Sequence, residues 1–126
     1  MVESRLLHFG VFDIRLELRD DVPEGYREQA LGGVDSEMDG KGRFRIWFKT
    51  IPTNDGVIHE LWHLFFTIMK TVDPNGHYFD EMNCEVYAYS FQHLYLIVLD
   101  ALTAMRLYKI RYDQQKEANN GNCKNE

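Results

Sequence analysis

The sequence predicts an α+β fold in which a small, mostly antiparallel sheet packs on one helix and a second long helix follows. Residues 11–18 and 43–49 alternate between apolar and polar side chains, which is the pattern of β-strands. Residues 56–71 and then 80–112 carry apolar side chains every three or four positions, which is the pattern of helices. Strands that precede helices, instead of alternating with them, are typical of the α+β class.

Length and composition indicate one compact domain. The chain has 126 residues and a formal net charge of −6, with acids and bases scattered along it. We predict a domain at residues 1–116 and a disordered polar tail at 117–126, because the tail is almost free of apolar residues. The charge disfavours nucleic-acid binding, which needs a basic face. No apolar run is long enough to cross a membrane, and two isolated cysteines favour the reducing cytoplasm.

The first predicted strand covers residues 11–18 and is expected to be half-buried. One side of this strand is apolar, and the other carries Asp13, Arg15 and Glu17. A turn is predicted at 20–25. Gly32 and Gly33 precede a short strand and hairpin loop predicted at 34–39.

The second clear strand is predicted at residues 43–49, where Phe44, Ile46 and Phe48 share one side. Pro52 ends this region. One of the next three residues is expected to be the N-cap of the following helix, and they are Thr53, Asn54 and Asp55.

The helix predicted at residues 56–71 contains the motif H-E-x-x-H as His59, Glu60 and His63. Histidines four residues apart share one face of a helix, so both imidazoles can bind one Zn²⁺. Glu60 projects beside the pair, where it can accept a proton from a water that the metal activates. The helix is apolar around most of its circumference, so we expect it to be central and to bury both histidines. Metal binding would then satisfy these buried polar groups.

A catalytic zinc site usually has three protein ligands, and the second long helix begins with candidate acids. Glu81 and Glu85 lie four residues apart and share a face, so either can supply the third ligand. Asp80 is expected to be the helix cap. Glu81 is also a candidate partner for the imidazole N–H groups. A donor to the developing oxyanion is expected from Tyr89 or His93, with His77 and Tyr78 as further candidates. His8 is expected to be structural or on the surface.

Residues 51–102 resemble the zincin metallopeptidases, and among them the gluzincins, which have H-E-x-x-H on one helix and a glutamate ligand on the next. The chain resembles small proteins of tailed bacteriophages more closely. The matching segments are Leu31-Gly32-Gly33, Arg45-Ile46-Trp47-Phe48, His59 to His63 and Glu85-Val86-Tyr87-Ala88-Tyr89. The resemblance implies that Glu85, rather than Glu81, is the third ligand. It also implies that the strand at 43–49 borders the cleft and pairs with an extended substrate.

Two functions are therefore expected. The first is a metallopeptidase with one zinc ion, which cuts a protein or peptide substrate with Glu60 as general base. The alternative is a zinc-stabilised, catalytically inactive phage protein that binds a host or phage protein. Either would act in the cytoplasm, that of the host cell if the protein is phage-encoded.

Overall fold

The fold is α+β, as the sequence predicts. The structure is a computed structural model that describes residues 2–36, 43–49, 52–76 and 81–124. In the last segment, it describes the side chains of residues 84–106, 117 and 118. The elements in chain order are β1 (Val2–Phe9), β2 (Phe12–Arg19), β3 (Gly32–Ser36), β4 (Arg43–Lys49), α1 (Asn54–Val72) and α2 (Glu81–Lys124).

The four strands form one mostly antiparallel sheet in the order β1-β2-β4-β3. β1 pairs with β2 and β3 pairs with β4 in antiparallel ladders, whereas β2 and β4 are parallel. β4 therefore lies inside the sheet, with both of its edges hydrogen-bonded. The expectation that residues 43–49 pair with a substrate is wrong for this reason, and the strand that faces α1 at the edge of the sheet is β3.

The core lies between one face of the sheet and the two helices. The apolar sides predicted for the two strands supply the sheet's part of the core, with Ile14, Leu16 and Ile46 fully buried. α1 contributes Leu61, Leu64 and Ile68, and α2 contributes Leu94, Val98, Leu102 and Met105. Since each fully buried side chain of this size stabilises the fold by about 1.5–3 kcal/mol, this layer fixes α1 firmly on the sheet.

β1 is an element that the sequence pattern did not reveal. It forms a hairpin with β2 through the two-residue loop Gly10-Val11, in which Gly10 has a φ of 60°. Primed turns of this kind require a positive φ, which glycine adopts without strain. Glycine at that position was the available signal for a hairpin.

Residues on the outer face of the sheet, away from the helices, are more buried than the alternation of apolar and polar residues predicts. Glu17 is only 6% exposed, although it was expected on the solvent side of β2. Its carboxylate lies 3.1 Å from Arg19 and 3.6 Å from Arg45, so burial is compensated by ion pairs. Trp47 is fully buried on the same face, where the ring of Tyr26 packs edge-on against it at 4.9 Å.

α1 begins at a side-chain cap. Thr53 accepts a hydrogen bond from the Gly56 backbone N–H at 3.2 Å, which identifies the N-cap among the three predicted candidates. α2 is helical to Lys124, so the polar segment predicted from residue 117 begins within this helix, and the division at 116 stays a prediction. Within the described parts of both helices, no stretch is long and apolar enough to cross a bilayer.

Candidate metal centre

His59 and His63 lie one turn apart on α1, and their rings converge. The two Nε2 atoms are 3.3 Å apart, and the ring planes are inclined at 75°. Two nitrogen ligands at about 2.0–2.1 Å from a tetrahedral ion are themselves separated by about 3.3 Å. The two imidazoles are therefore already spaced as zinc requires, and this half of the donor set fits the ion.

Both histidines are exposed, so the expectation that α1 buries them is wrong. The sheet and α2 cover the side of α1 that carries Leu61, Leu64 and Ile68, and they leave the histidine side open. Ile58 and Trp62, on the same helix, remain 50% and 51% exposed. Apolar residues on α1 thus extend beyond the core and surround the histidine pair, which is why periodicity overstated the burial.

Glu60 lies beside the pair and is half-buried against β3. Its Cγ is 3.2 Å from the position that a Cβ on Gly32 would occupy, so the absence of a side chain there allows the close approach. Burial raises the pKa of the Glu60 carboxyl above its ordinary value, while His59 and His63 act in the opposite direction. A carboxylate that is costly to keep charged is a stronger base, as a general base requires.

A cleft of about 400 Å³ opens next to His59 and Glu60. Its other walls come from the start of β3, the end of β4 and the first turn of α1, and they are Leu31, Gly32, Phe48, Lys49, Pro52, Thr53 and Gly56. Most of these walls are apolar. The start of β3 was not among the predicted site residues, although glycines in a strand, such as Gly32 and Gly33, often allow another group to approach the backbone closely.

The described side chains include no group of three His, Cys, Asp or Glu that could hold a metal ion. Glu85 is exposed on α2, and the side chain of Glu81 lies outside the described residues. His59 and His63 are therefore the predicted ligands that the structure brings together. Glu85 and Glu81 stay predictions.

Two contacts show how α1 and α2 are oriented relative to each other. Arg106 donates a hydrogen bond to the Pro52 carbonyl at 2.7 Å, and Phe91 packs against Phe65 at 5.3 Å. The helices are therefore antiparallel. Glu85 precedes Phe91 by six residues, which is about 9 Å along the axis of α2.

Tyr89 and His93 lie at a different surface. They line an open pocket of about 460 Å³ with Phe9, Gly10, Phe12 and Ser90, and it shares no lining residue with the cleft beside Glu60. His93 stacks on Phe9 with the ring centroids 6.0 Å apart. The structure thus does not bring these two oxyanion candidates to the histidine pair. His77, Tyr78 and Asp80 lie outside the described residues.

His8 is a surface residue with a side chain 71% exposed, which agrees with the expectation that it is structural or on the surface. Its Nδ1 lies 2.8 Å from Asp13 Oδ1 across the β1–β2 hairpin, far along the sheet from the cleft. Because it lies far from the cleft, replacing His8 is a suitable control for the effects of changing His59 or His63.

Comparisons of the chain with protein-family models, with curated proteins and with solved structures give no match. The function is therefore inferred from the local geometry and from the resemblance of the motifs.

Proposed function

We propose that the protein is a zinc-dependent metallopeptidase that hydrolyses a peptide bond in a protein or peptide substrate. The observation that carries the proposal is the 3.3 Å separation of the Nε2 atoms of His59 and His63. The pair would hold one zinc ion, with Glu85 as the predicted third ligand. A bound zinc ion supplies a Lewis acid that polarises a carbonyl group and makes water more acidic.

Glu60 is the general base of this proposal. Its carboxylate accepts a proton from the attacking water and then donates it to the leaving amine. The raised pKa of Glu60 supports both steps, because it brings the carboxyl closer to the pH at which it must exchange protons. Because Gly32 has no side chain, Glu60 can lie close to β3 while it lines the cleft beside His59.

The cleft gives this chemistry a place for a polypeptide. β4 is the only strand that pairs with β3 among the described residues, so the other edge of β3 offers backbone groups to an extended chain. Leu31, which is 72% exposed, adds apolar surface next to Glu60. An extended substrate with an apolar side chain near the scissile bond fits these walls.

A second candidate function is a catalytically inactive, zinc-stabilised protein that binds a host or phage protein. The half-exposed side chains of Ile58 and Trp62 favour it, because apolar surface of this kind beside a metal site suits a protein contact. Both functions predict zinc binding. They differ in whether a product is released.

The experiment compares the parent with Glu60→Gln on a mixture of peptides prepared from a bacterial lysate, with products identified by mass spectrometry. Zinc is supplied, and a chelator is added in a parallel arm. The parent and His8→Ala are expected to produce the same new termini, and Glu60→Gln and the chelated protein to produce none. New termini in equal yield with Glu60→Gln would contradict the role of Glu60. Zinc binding without any cleavage would favour the second function.

A further inference from the structure

One edge of the sheet is formed by β1, which is eight residues long. β2 is the only strand that pairs with β1 among the described residues, and five of its eight residues are exposed. An edge strand of this kind presents a row of backbone N–H and C=O groups to which another strand can pair. Natural proteins usually block such edges, so the side chains along β1 decide what can bind there.

The hairpin register shows which backbone groups point outward. Phe9 and Phe12 flank the two-residue loop and therefore exchange both backbone hydrogen bonds. In an antiparallel ladder, bonded and non-bonded positions alternate. The residues of β1 that direct their N–H and C=O groups away from β2 are therefore Val2, Ser4, Leu6 and His8.

On either side of Ser4, residues at equal distances along β1 have complementary side chains. Val2 and Leu6 are apolar and 50% and 61% exposed, and both lie on the outer face of the sheet. Glu3 and Arg5 have opposite charges and lie on the other face, with a carboxylate oxygen and a guanidinium nitrogen 3.8 Å apart. Each residue thus has its chemical complement at the mirrored position along the strand.

The geometry points to a second copy of this chain as the occupant of the edge. We infer a symmetric dimer in which β1 pairs antiparallel with β1 of the second copy, with Ser4 opposite Ser4 on the two-fold axis. Val2 then lies opposite Leu6, and Glu3 lies opposite Arg5, twice in each dimer. A two-fold interface requires this reciprocity, in which one residue contacts another and the converse contact also forms.

Charge complementarity selects this register among its neighbours. The nearest other registers that keep the outward backbone groups paired differ by a slip of two residues in either direction. One places Glu3 opposite Glu3, and the other places Arg5 opposite Arg5, and like charges directly opposite each other are destabilising. In the inferred register Glu3 and Arg5 occupy a non-hydrogen-bonded pair, where the Cα atoms are about 4.5 Å apart and side chains are closest.

The first test is the mass of the full-length protein in solution, measured by sedimentation velocity over a range of concentrations. The parent is expected to dimerise. Arg5→Glu or Glu3→Arg turns both cross-strand pairs into like-charge pairs, so each is expected to raise the dimer dissociation constant by about ten- to thirtyfold. Arg27→Glu changes the charge by the same amount at an exposed position outside the sheet, and it is expected to leave the constant unchanged.

Combining the charge reversals makes the test specific for this register. The double variant Glu3→Arg with Arg5→Glu is expected to dimerise like the parent. An equimolar mixture of the two single variants is expected to form a heterodimer. One variant then carries two basic side chains on this stretch of β1, and the other carries two acidic side chains opposite them. Circular dichroism and the unfolding midpoint confirm that every variant is folded.

A covalent test locates the two-fold axis. Ser4→Cys is expected to form a disulfide-linked dimer under mild oxidation, because Cα atoms at a hydrogen-bonded pair are about 5.5 Å apart, within the range of a disulfide. The parent, which retains Cys84 and Cys123, is the control and is expected to stay uncrosslinked. A parent that remains monomeric at about 100 μM would overturn the inference. A dimer that tolerates both single charge reversals would overturn it too.

Discussion

The Cγ atom of Glu60 lies 3.2 Å from the point where Gly32 would carry a Cβ. The same point is 3.1 Å from the Trp47 carbonyl oxygen and 3.3 Å from the Phe48 ring, so the space is closed on three sides. This contact joins the edge strand β3 to the helix that carries the histidines. The position of the proposed general base thus depends on a residue about 30 positions away in sequence.

Gly32→Ala is therefore expected to destabilise the protein by about 1–3 kcal/mol, because an added methyl group must displace β3 or Glu60. Urea unfolding measures the change. Gly56→Ala is the matched control, since its added Cβ meets only Thr53 Oγ1 at 3.4 Å, and alanine favours the helix. A Gly32→Ala protein as stable as the parent would show that the space between Gly32 and Glu60 accommodates a methyl group.

Burial of Glu60 predicts a particular dependence of stability on pH in the metal-free protein. Because its pKa is raised in the folded state, the folded protein retains the proton more strongly than the unfolded chain. Its contribution to stability is thus present below the ordinary value of 4.5 and is lost as the pH rises through the folded pKa.

Glu60→Gln removes this loss, because the amide stays neutral at every pH. The variant is expected to gain stability relative to the parent as the pH is raised from about 3.5 through the folded pKa of Glu60, as measured by urea unfolding with a chelator present. Glu117→Gln is the control, because Glu117 is exposed. A constant difference between Glu60→Gln and the parent over this range would contradict the burial of Glu60.

Tyr26 covers Trp47 on the outer face of the sheet and is fixed there by a hydrogen bond. Its hydroxyl donates a 2.6 Å hydrogen bond to Asp35, which also accepts hydrogen bonds from the Arg45 guanidinium. Burial, and then the hydrogen bond to Asp35, raises the pKa of Tyr26 above its ordinary value. Stability from this group is therefore present below about pH 10 and declines as the pH rises through the folded pKa.

Tyr26→Phe is expected to cost about 1 kcal/mol at about pH 8, because the hydrogen bond is lost while the ring still packs on Trp47. The difference from the parent should shrink above about pH 10, where the parent loses stability and the variant does not. Urea unfolding at both values checks this. Tyr89→Phe, at a position 67% exposed, is the control and should show neither effect. A stability difference between Tyr26→Phe and the parent that grows above about pH 10 would contradict this prediction.

Sequence reasoning succeeded where one face of an element is buried. Alternation located β2 and β4, and apolar periodicity located α1, because burial against the core imposes those periods. It was less successful on the outer face, where Glu17 and Trp47 are buried under contacts from distant residues. Strand order was not predictable from the pattern either. The parallel pairing of β2 with β4 places β4 inside the sheet, and no local signal specifies that.

The site was predicted in part. Helical spacing is enough to place His59 and His63 together, because both lie on one rigid element. The third ligand depends on how α2 packs on α1, which is a tertiary relationship between elements. Phe91 of α2 contacts Trp62 and Phe65 of α1, and no pattern within either helix specifies these contacts.

Zinc binding by the purified protein tests whether His59 and His63 form a metal site. It is measured by competition with a chromophoric chelator and by metal analysis after dialysis. One zinc per chain is expected for the parent, for Glu60→Gln and for His8→Ala. Binding by His59→Ala or His63→Ala should be weaker by at least about a hundredfold. A parent protein without zinc, or zinc retained in the double variant lacking both histidines, would contradict the claim.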